Sequence, residues 1–173
     1  MNPRDSPATR WLLLLSTAVG VGLLAGGCTS DSTKPEPSAS TRQGEIAERG
    51  ASVMPFDLDR TTHRFVKTGS GGVQTVVSDD PQDATRVRLV RQHLQEETAR
   101  FRRGDFDDPG RIHGTEMPGL QALREHGGRI VLAYAPTADG GRITYTTSDP
   151  ELREALHAWF DAQVSDHGQH ATR

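Results

Sequence analysis

One pattern occurs twice in this chain. The segment GGVQTVVSDDP at residues 71–81 aligns without a gap on GGRITYTTSDP at 140–150. The shared residues are the two glycines, a threonine and the Asp-Pro pair. Each copy reads as a Gly-rich hairpin turn, a strand and a helix start. Aspartate accepts hydrogen bonds from the orphan N–H groups of a first helical turn, and proline fits that turn without loss. Any two such units would choose these residues, so the repeat constrains the fold whatever its origin. Residues 60–67 precede the first copy and alternate, with Thr61, His63 and Phe65 on one face and Thr62, Arg64 and Val66 on the other. Residues 129–135 precede the second. Two strand–strand–helix units predict an α+β domain: an antiparallel four-stranded sheet with its helices packed on one face.

The first helix, opened at Asp80-Pro81, carries Val87, Val90, Leu94 and Phe101 at helical spacing. It closes on Arg100, Arg102 and Arg103, cations suited to a helix C-terminus. The last, opened at Asp149-Pro150, carries Leu152, Leu156, Trp159 and Phe160. A short helix is expected from Pro118 to Gly127, and residues 105–114 read as loop.

The N-terminus constrains location. Arg4 and Arg10 precede an apolar run over residues 11–24, then Ala25-Gly26-Gly27 and Cys28. A basic start, a short apolar stretch and small residues form an export signal. The run is shorter than the roughly 20 apolar residues of a membrane span. The small residues before Cys28 resemble the lipobox of bacterial lipoproteins, which implies cleavage before Cys28 and lipid attached to it. Ala25 stands where that family favours leucine, and Leu24 lies one position further back. The expected organisation is a signal over 1–27, a Ser/Thr/Pro-rich disordered tether over 28–50, one domain over 51–168 and a disordered tail over 169–173. Residues 43–50 have the makings of a short helix that adds little to a core. The domain is expected outside the cytoplasm, held to the membrane by lipidated Cys28.

Chemistry is less explicit. Cys28 is the only cysteine, so disulfides, Cys-rich zinc ribbons and a thiol nucleophile in the domain are excluded. A net charge of −3 argues against non-specific nucleic-acid binding. No Walker loop, nucleophile elbow, His-Glu-x-x-His pair or dinucleotide fingerprint occurs. Histidine is the conspicuous residue: all seven follow the tether. His63, His93, His113, His157 and His167, with Met117 in the loop after His113, are candidate ligands for copper or zinc, since neutral imidazole and thioether suit such ions. His126 and His170 read as a helix end and a frayed tail. Each candidate also has an ordinary reading as a strand, surface or capping residue.

The stretches VMPFDL at 53–58, TTHRF at 61–65, RGDF at 103–106, IHG at 112–114 with MPGL at 117–120, and LHAWFDAQ at 156–163 through SDHG at 165–168 resemble a family of small exported bacterial proteins. That family carries no assigned activity, and its members are often labelled aspartate carbamoyltransferase. The label does not fit this chain. That transferase resembles a much larger two-domain cytosolic enzyme with a Ser-Thr-Arg-Thr phosphate loop opening a helix. The nearest echo here is Ser40-Thr41-Arg42-Gln43, in the tether. The resemblance implies an exported domain without naming its chemistry. The leading expectation is therefore a lipid-anchored, non-enzymatic domain binding a transition metal through His113, His157 and His167, with Met117 or His63 assisting. The alternatives are an envelope module that presents its open sheet face to a protein partner, and a hydrolase using His157 with Asp161, or His167 with Asp166, as general base.

Overall fold

A computed structural model describes residues 38–173. Cys28 and the expected signal lie outside the described residues. Within the compact unit Glu36–Arg173, five strands form one mixed sheet. β1 (Thr61–Thr68) and β2 (Gly71–Ser78) make the first hairpin, β3 (Val131–Pro136) and β4 (Gly140–Thr146) the second, and β5 (Ala171–Thr172) is the C-terminal strand. The order is β3-β4-β2-β1-β5, antiparallel throughout except for β5, which runs parallel to β1 with Ala171 opposite His63. The four-stranded antiparallel expectation is thus corrected to a five-stranded mixed sheet, and the expected disordered tail is partly a strand.

The repeat has a geometric meaning. β2 and β4 lie side by side, with Gly71 opposite Thr146, Gln74 opposite Ile143 and Val77 opposite Gly140. Gln74 and Ile143 are also equivalent in the sequence alignment. The two units therefore meet about a local two-fold axis at that pair.

The repeated glycines are the first residues of strands, not turn residues, and close packing requires them. A Cβ on Gly72 would lie 2.4 Å from the Phe160 ring, and one on Gly141 would lie 3.1 Å from a Leu94 methyl. Those contacts place α2 (Ala84–Phe101) and α5 (Pro150–His167) on the same face of the sheet. Between sheet and helices lies the core: Phe65, Val76, Ile143 and Tyr145 from the strands meet Val90, Leu94 and Phe101 of α2 and Leu156, Trp159 and Phe160 of α5. Phe101 and Phe106 stack with centroids 4.3 Å apart, and Trp159 stands edge-on to both.

Asp149 caps α5 by accepting from the N–H groups of Glu151 and Leu152, with Pro150 in the first turn. The matching pair at 80–81 does something else. Asp80 accepts from the Gln82 N–H in a tight turn, and Asp83 caps α2 through the Arg86 N–H at 2.9 Å. The loop expected at 105–114 contains α3 (Asp107–His113), and the short helix α4 (Leu120–His126) begins two residues later than expected. Most of the tether's second half is also helical. α1 (Ala39–Val53) packs on α3 and α5 with Ile46 1% exposed. Its other attachments are polar: Arg49 Nε donates to the Ile112 carbonyl at 2.6 Å and Gln43 to the Ser165 carbonyl at 3.1 Å. Among the described residues no helix is long and apolar enough to cross a membrane.

Candidate functional site

Three of the candidate histidines come together under α1. His63 points from the helix-covered face of β1, His113 is the last residue of α3 and His167 is the last residue of α5. All three are buried. The His63 and His167 rings stack with centroids 4.9 Å apart, and His113 stands edge-on to His167 at 5.0 Å. α3 and α5 end at this point because Gly114 and Gly168 follow them with positive φ.

His113 has a fixed orientation. Its Nδ1 lies 2.9 Å from Asp166 Oδ2, and the Arg42 guanidinium grips the same carboxylate with Nε at 2.6 Å and Nη2 at 2.8 Å. Arg42 Nη2 also donates to the His113 carbonyl at 3.2 Å. Burial alone would raise the Asp166 pKa. The hydrogen bonds from His113 and Arg42 outweigh it and hold the carboxyl below its ordinary value. A carboxylate accepting Nδ1–H leaves Nε2 of His113 as the nitrogen with a free lone pair.

The three imidazoles border a cavity of about 40 Å³, which Glu97, Asp108 and Trp159 also line. That is space for a water molecule or two, or a hydrated ion, and not for an organic substrate. Among the described residues, two buried polar atoms of its lining lack partners: His63 Nε2 and Trp159 Nε1. Burial, reinforced by His93, His113 and His170, pushes the His63 pKa down to about 3. Burial and the same neighbourhood hold His167 well below its ordinary value. Both rings are therefore neutral at physiological pH, the form that ligates metals. On the far wall, burial beside Asp108 pushes Glu97 up to about 8. Asp108 is in turn bound by Arg100, which also holds Asp105.

The remaining candidates are placed elsewhere or at the margin. His93, on α2, borders the cavity but is only half-buried, its ring edge-on to Phe56 at 5.5 Å. His157 lies away from this group, its Nε2 2.7 Å from the Gly71 carbonyl. Met117 packs into the apolar core and does not line the histidine cavity. Of the expected set, His113, His157 and His167 with Met117 or His63 assisting, the structure brings His63, His113 and His167 together and places His157 and Met117 apart from them. Both general-base pairs fail on geometry. The Asp161 carboxylate is held by Lys67, and Asp166 serves His113 and not its neighbour His167. Among the described residues no group of three or more His, Cys, Asp or Glu side chains stands ready to hold a metal ion. The sequence reading missed Arg42 and Glu97 as parts of the site. A lone glutamate on the apolar stripe of α2, three residues after Leu94, was the available signal for the second.

Removing the Asp166 charge tests the clamp directly. Asp166→Ala leaves Arg42 and His113 without their shared acceptor and is expected to cost about 3 kcal/mol, the usual scale for breaking a buried pair by removing one partner. Urea denaturation read by far-UV circular dichroism measures it. A loss under about 1 kcal/mol would mean that α1 is held mainly by Ile46.

No protein-family model matches this chain, and no curated protein or solved structure matches it.

Proposed function

We propose that this chain is an exported, lipid-anchored domain that binds a transition-metal ion, copper or zinc, in the chamber formed by His63, His113 and His167. The observation that supports this reading is the clustering of three buried imidazoles at ring separations of 4.9 and 5.0 Å. Two imidazoles bound tetrahedrally to one ion stand about 5 Å apart by centroid, given a metal–nitrogen bond of about 2.0 Å. The rings have that spacing but are not aimed at one point, so binding turns them about their Cβ–Cγ bonds. The partnerless His63 Nε2 is the donor with most to gain. Asp166 behind His113 fixes its tautomer in the way outer-shell carboxylates support metal-bound histidines.

The hydrolase reading has less support. The chamber is too small for an organic substrate, and among the described residues no Ser or Thr side chain lines it. Lipid attachment at Cys28 supplies the location, and Cys28→Ser is expected to move the chain out of the membrane fraction.

The deciding experiment is calorimetric titration of the unit Glu36–Arg173, without a histidine tag, with Zn(II), Cu(II) and Cu(I). Trp159 fluorescence serves as a second readout, since Trp159 borders the chamber. One ion per chain is expected, with His113→Ala weakening binding at least a hundredfold and His157→Ala leaving it unchanged. Absence of saturable binding at pH 7.5 would end the metal reading. Because His63 and His167 are neutral well below pH 6.5, these two ligands do not lose the ion to protons between pH 7.5 and 5.5, where an exposed histidine would.

A further inference from the structure

The sheet face opposite the helices carries its own chemistry. Three cross-strand rows lie on it: Arg64, Thr75, Arg142 and Ala135; Val66, Val73, Thr144 and Ala133; and Thr68, Gly71, Thr146 and Val131. Among the described residues, none packs a helix against these rows. Val66 at 40% and Val131 at 70% are the large hydrophobic side chains left exposed among the described residues, and both are here. In a chain with 23 acidic against 20 basic residues, the four long strands contain no Asp or Glu at all. Arg64 and Arg142 are exposed and make no hydrogen bond or ion pair among the described residues. Most arginines elsewhere are engaged: Arg42 and Arg100 by carboxylates, Arg91 and Arg102 by carbonyls.

We infer that this open face docks on an anionic lipid surface. Exposed valines and arginines without partners among the described residues share a face whose four strands carry no acid, with Asp79 only at its edge on the Thr62 hydroxyl. Such a face matches a layer of negative headgroups over hydrocarbon. The arginine stems lie along apolar surface while their guanidinium groups reach phosphate oxygens. Thr75 lies between the two arginines and adds a hydroxyl donor in the same row. Neighbouring strands are about 4.8 Å apart, so Arg64 and Arg142 stand about 10 Å from each other and engage two headgroups, not one. An acidic protein segment would also answer the two charges, but would leave Val66 and Val131, at opposite ends of neighbouring rows, in water.

Two arginines give a modest attraction, read at low salt and high lipid concentration, and a nearby anchor would strengthen it by raising the local concentration. Cys28 and Ser38 lie ten positions apart, a reach of at most about 35 Å. A lipid at Cys28 would therefore hold the domain near the membrane, and docking through the open face would set its orientation there. The inference stands apart from the metal reading, since no chamber residue takes part. It is tested without the lipid, so its failure is separable from that of the anchor.

The test is co-sedimentation of the unit Glu36–Arg173, in chelator, with vesicles of phosphatidylcholine alone or with 40% phosphatidylglycerol. Binding to the anionic vesicles only is expected, lost at high salt. Arg64→Gln and Arg142→Gln should each weaken it about fivefold, and Val131→Ser should weaken it without shifting the thermal midpoint. Equal sedimentation with both vesicle types would overturn the inference. So would no sedimentation with either, and polyglutamate binding in its place would assign the face to an acidic protein partner.

Discussion

Glu97→Gln is expected to stabilise the protein by about 3 kcal/mol at pH 7 and by about 4 kcal/mol at pH 8, with almost no effect at pH 4. Burial next to Asp108 raises this carboxyl from 4.5 to about 8. An unfolded chain ionises Glu97 above pH 4.5, whereas the folded chain keeps the proton until about pH 8. The group's contribution to stability is therefore complete below pH 4.5 and is lost as pH rises to 8. Glutamine has the shape of the protonated carboxyl and the same capacity to donate to Asp108, but it cannot ionise. Wild-type denaturation midpoints should fall between pH 6.5 and 8, and the variant's should not. Equal slopes in the two proteins would show that Glu97 is already ionised at neutral pH. A buried carboxyl kept at this expense, on the wall of a chamber of neutral imidazoles, is what a cation site would use. An ion in the chamber would draw off the Glu97 proton and leave a counter-charge in place.

What could be read from the sequence followed from how local its causes are. The two hairpins and α5 came out with nearly the observed limits, because alternation in β1, the Asp149-Pro150 cap and the Leu152, Leu156, Trp159 spacing act within a few residues. The missed elements are held by distant partners. α1 has Ile46 and Gly50 as its buried residues, and its hydrogen bonds go to residues 112–113 and 165–166 at the ends of α3 and α5. α3 contains Pro109 and Gly110, poor helix formers by themselves, and is seated by the Arg100–Asp108 pair and by burial of Ile112. β5 exists only because β1 offers it an edge at His63 and Arg64.

The site divided along the same line. Histidine abundance drew attention to His63, His113 and His167, three of the five candidates, which the fold brings together. Their convergence depends on where β1, α3 and α5 end, over a hundred residues of chain. His157 looked promising because it leaves the apolar face of α5. That position carries it to the Gly71 carbonyl at the hairpin, away from the other rings. The Asp166–His167 adjacency suggested a pair, but successive helical residues point in directions about 100° apart, and the aspartate turns to His113.

His63→Leu separates the two roles that a buried histidine can have. With its folded pKa at about 3 against 6.5 in an unfolded chain, His63 costs the protein nothing by titration above pH 6.5. Below that, the unfolded chain takes up a proton that the folded chain refuses, so stability falls as pH drops from 6.5 towards 3. The loss from this residue alone is about 2 kcal/mol at pH 5 and about 3 kcal/mol at pH 4. His167, displaced in the same direction by burial and by His63, adds to it. Leucine fills similar space, has no proton to take up and removes the partnerless Nε2, itself a burden of about 1–3 kcal/mol. The metal-free variant should therefore be more stable than the parent at pH 7, and more so at pH 4, by thermal denaturation across that range. Its affinity for the metal should be lost at the same time. A residue placed for packing would show the opposite pattern: lower stability on replacement and unchanged binding. Gain of stability together with loss of the ion is the signature of a histidine held in the core for what it binds.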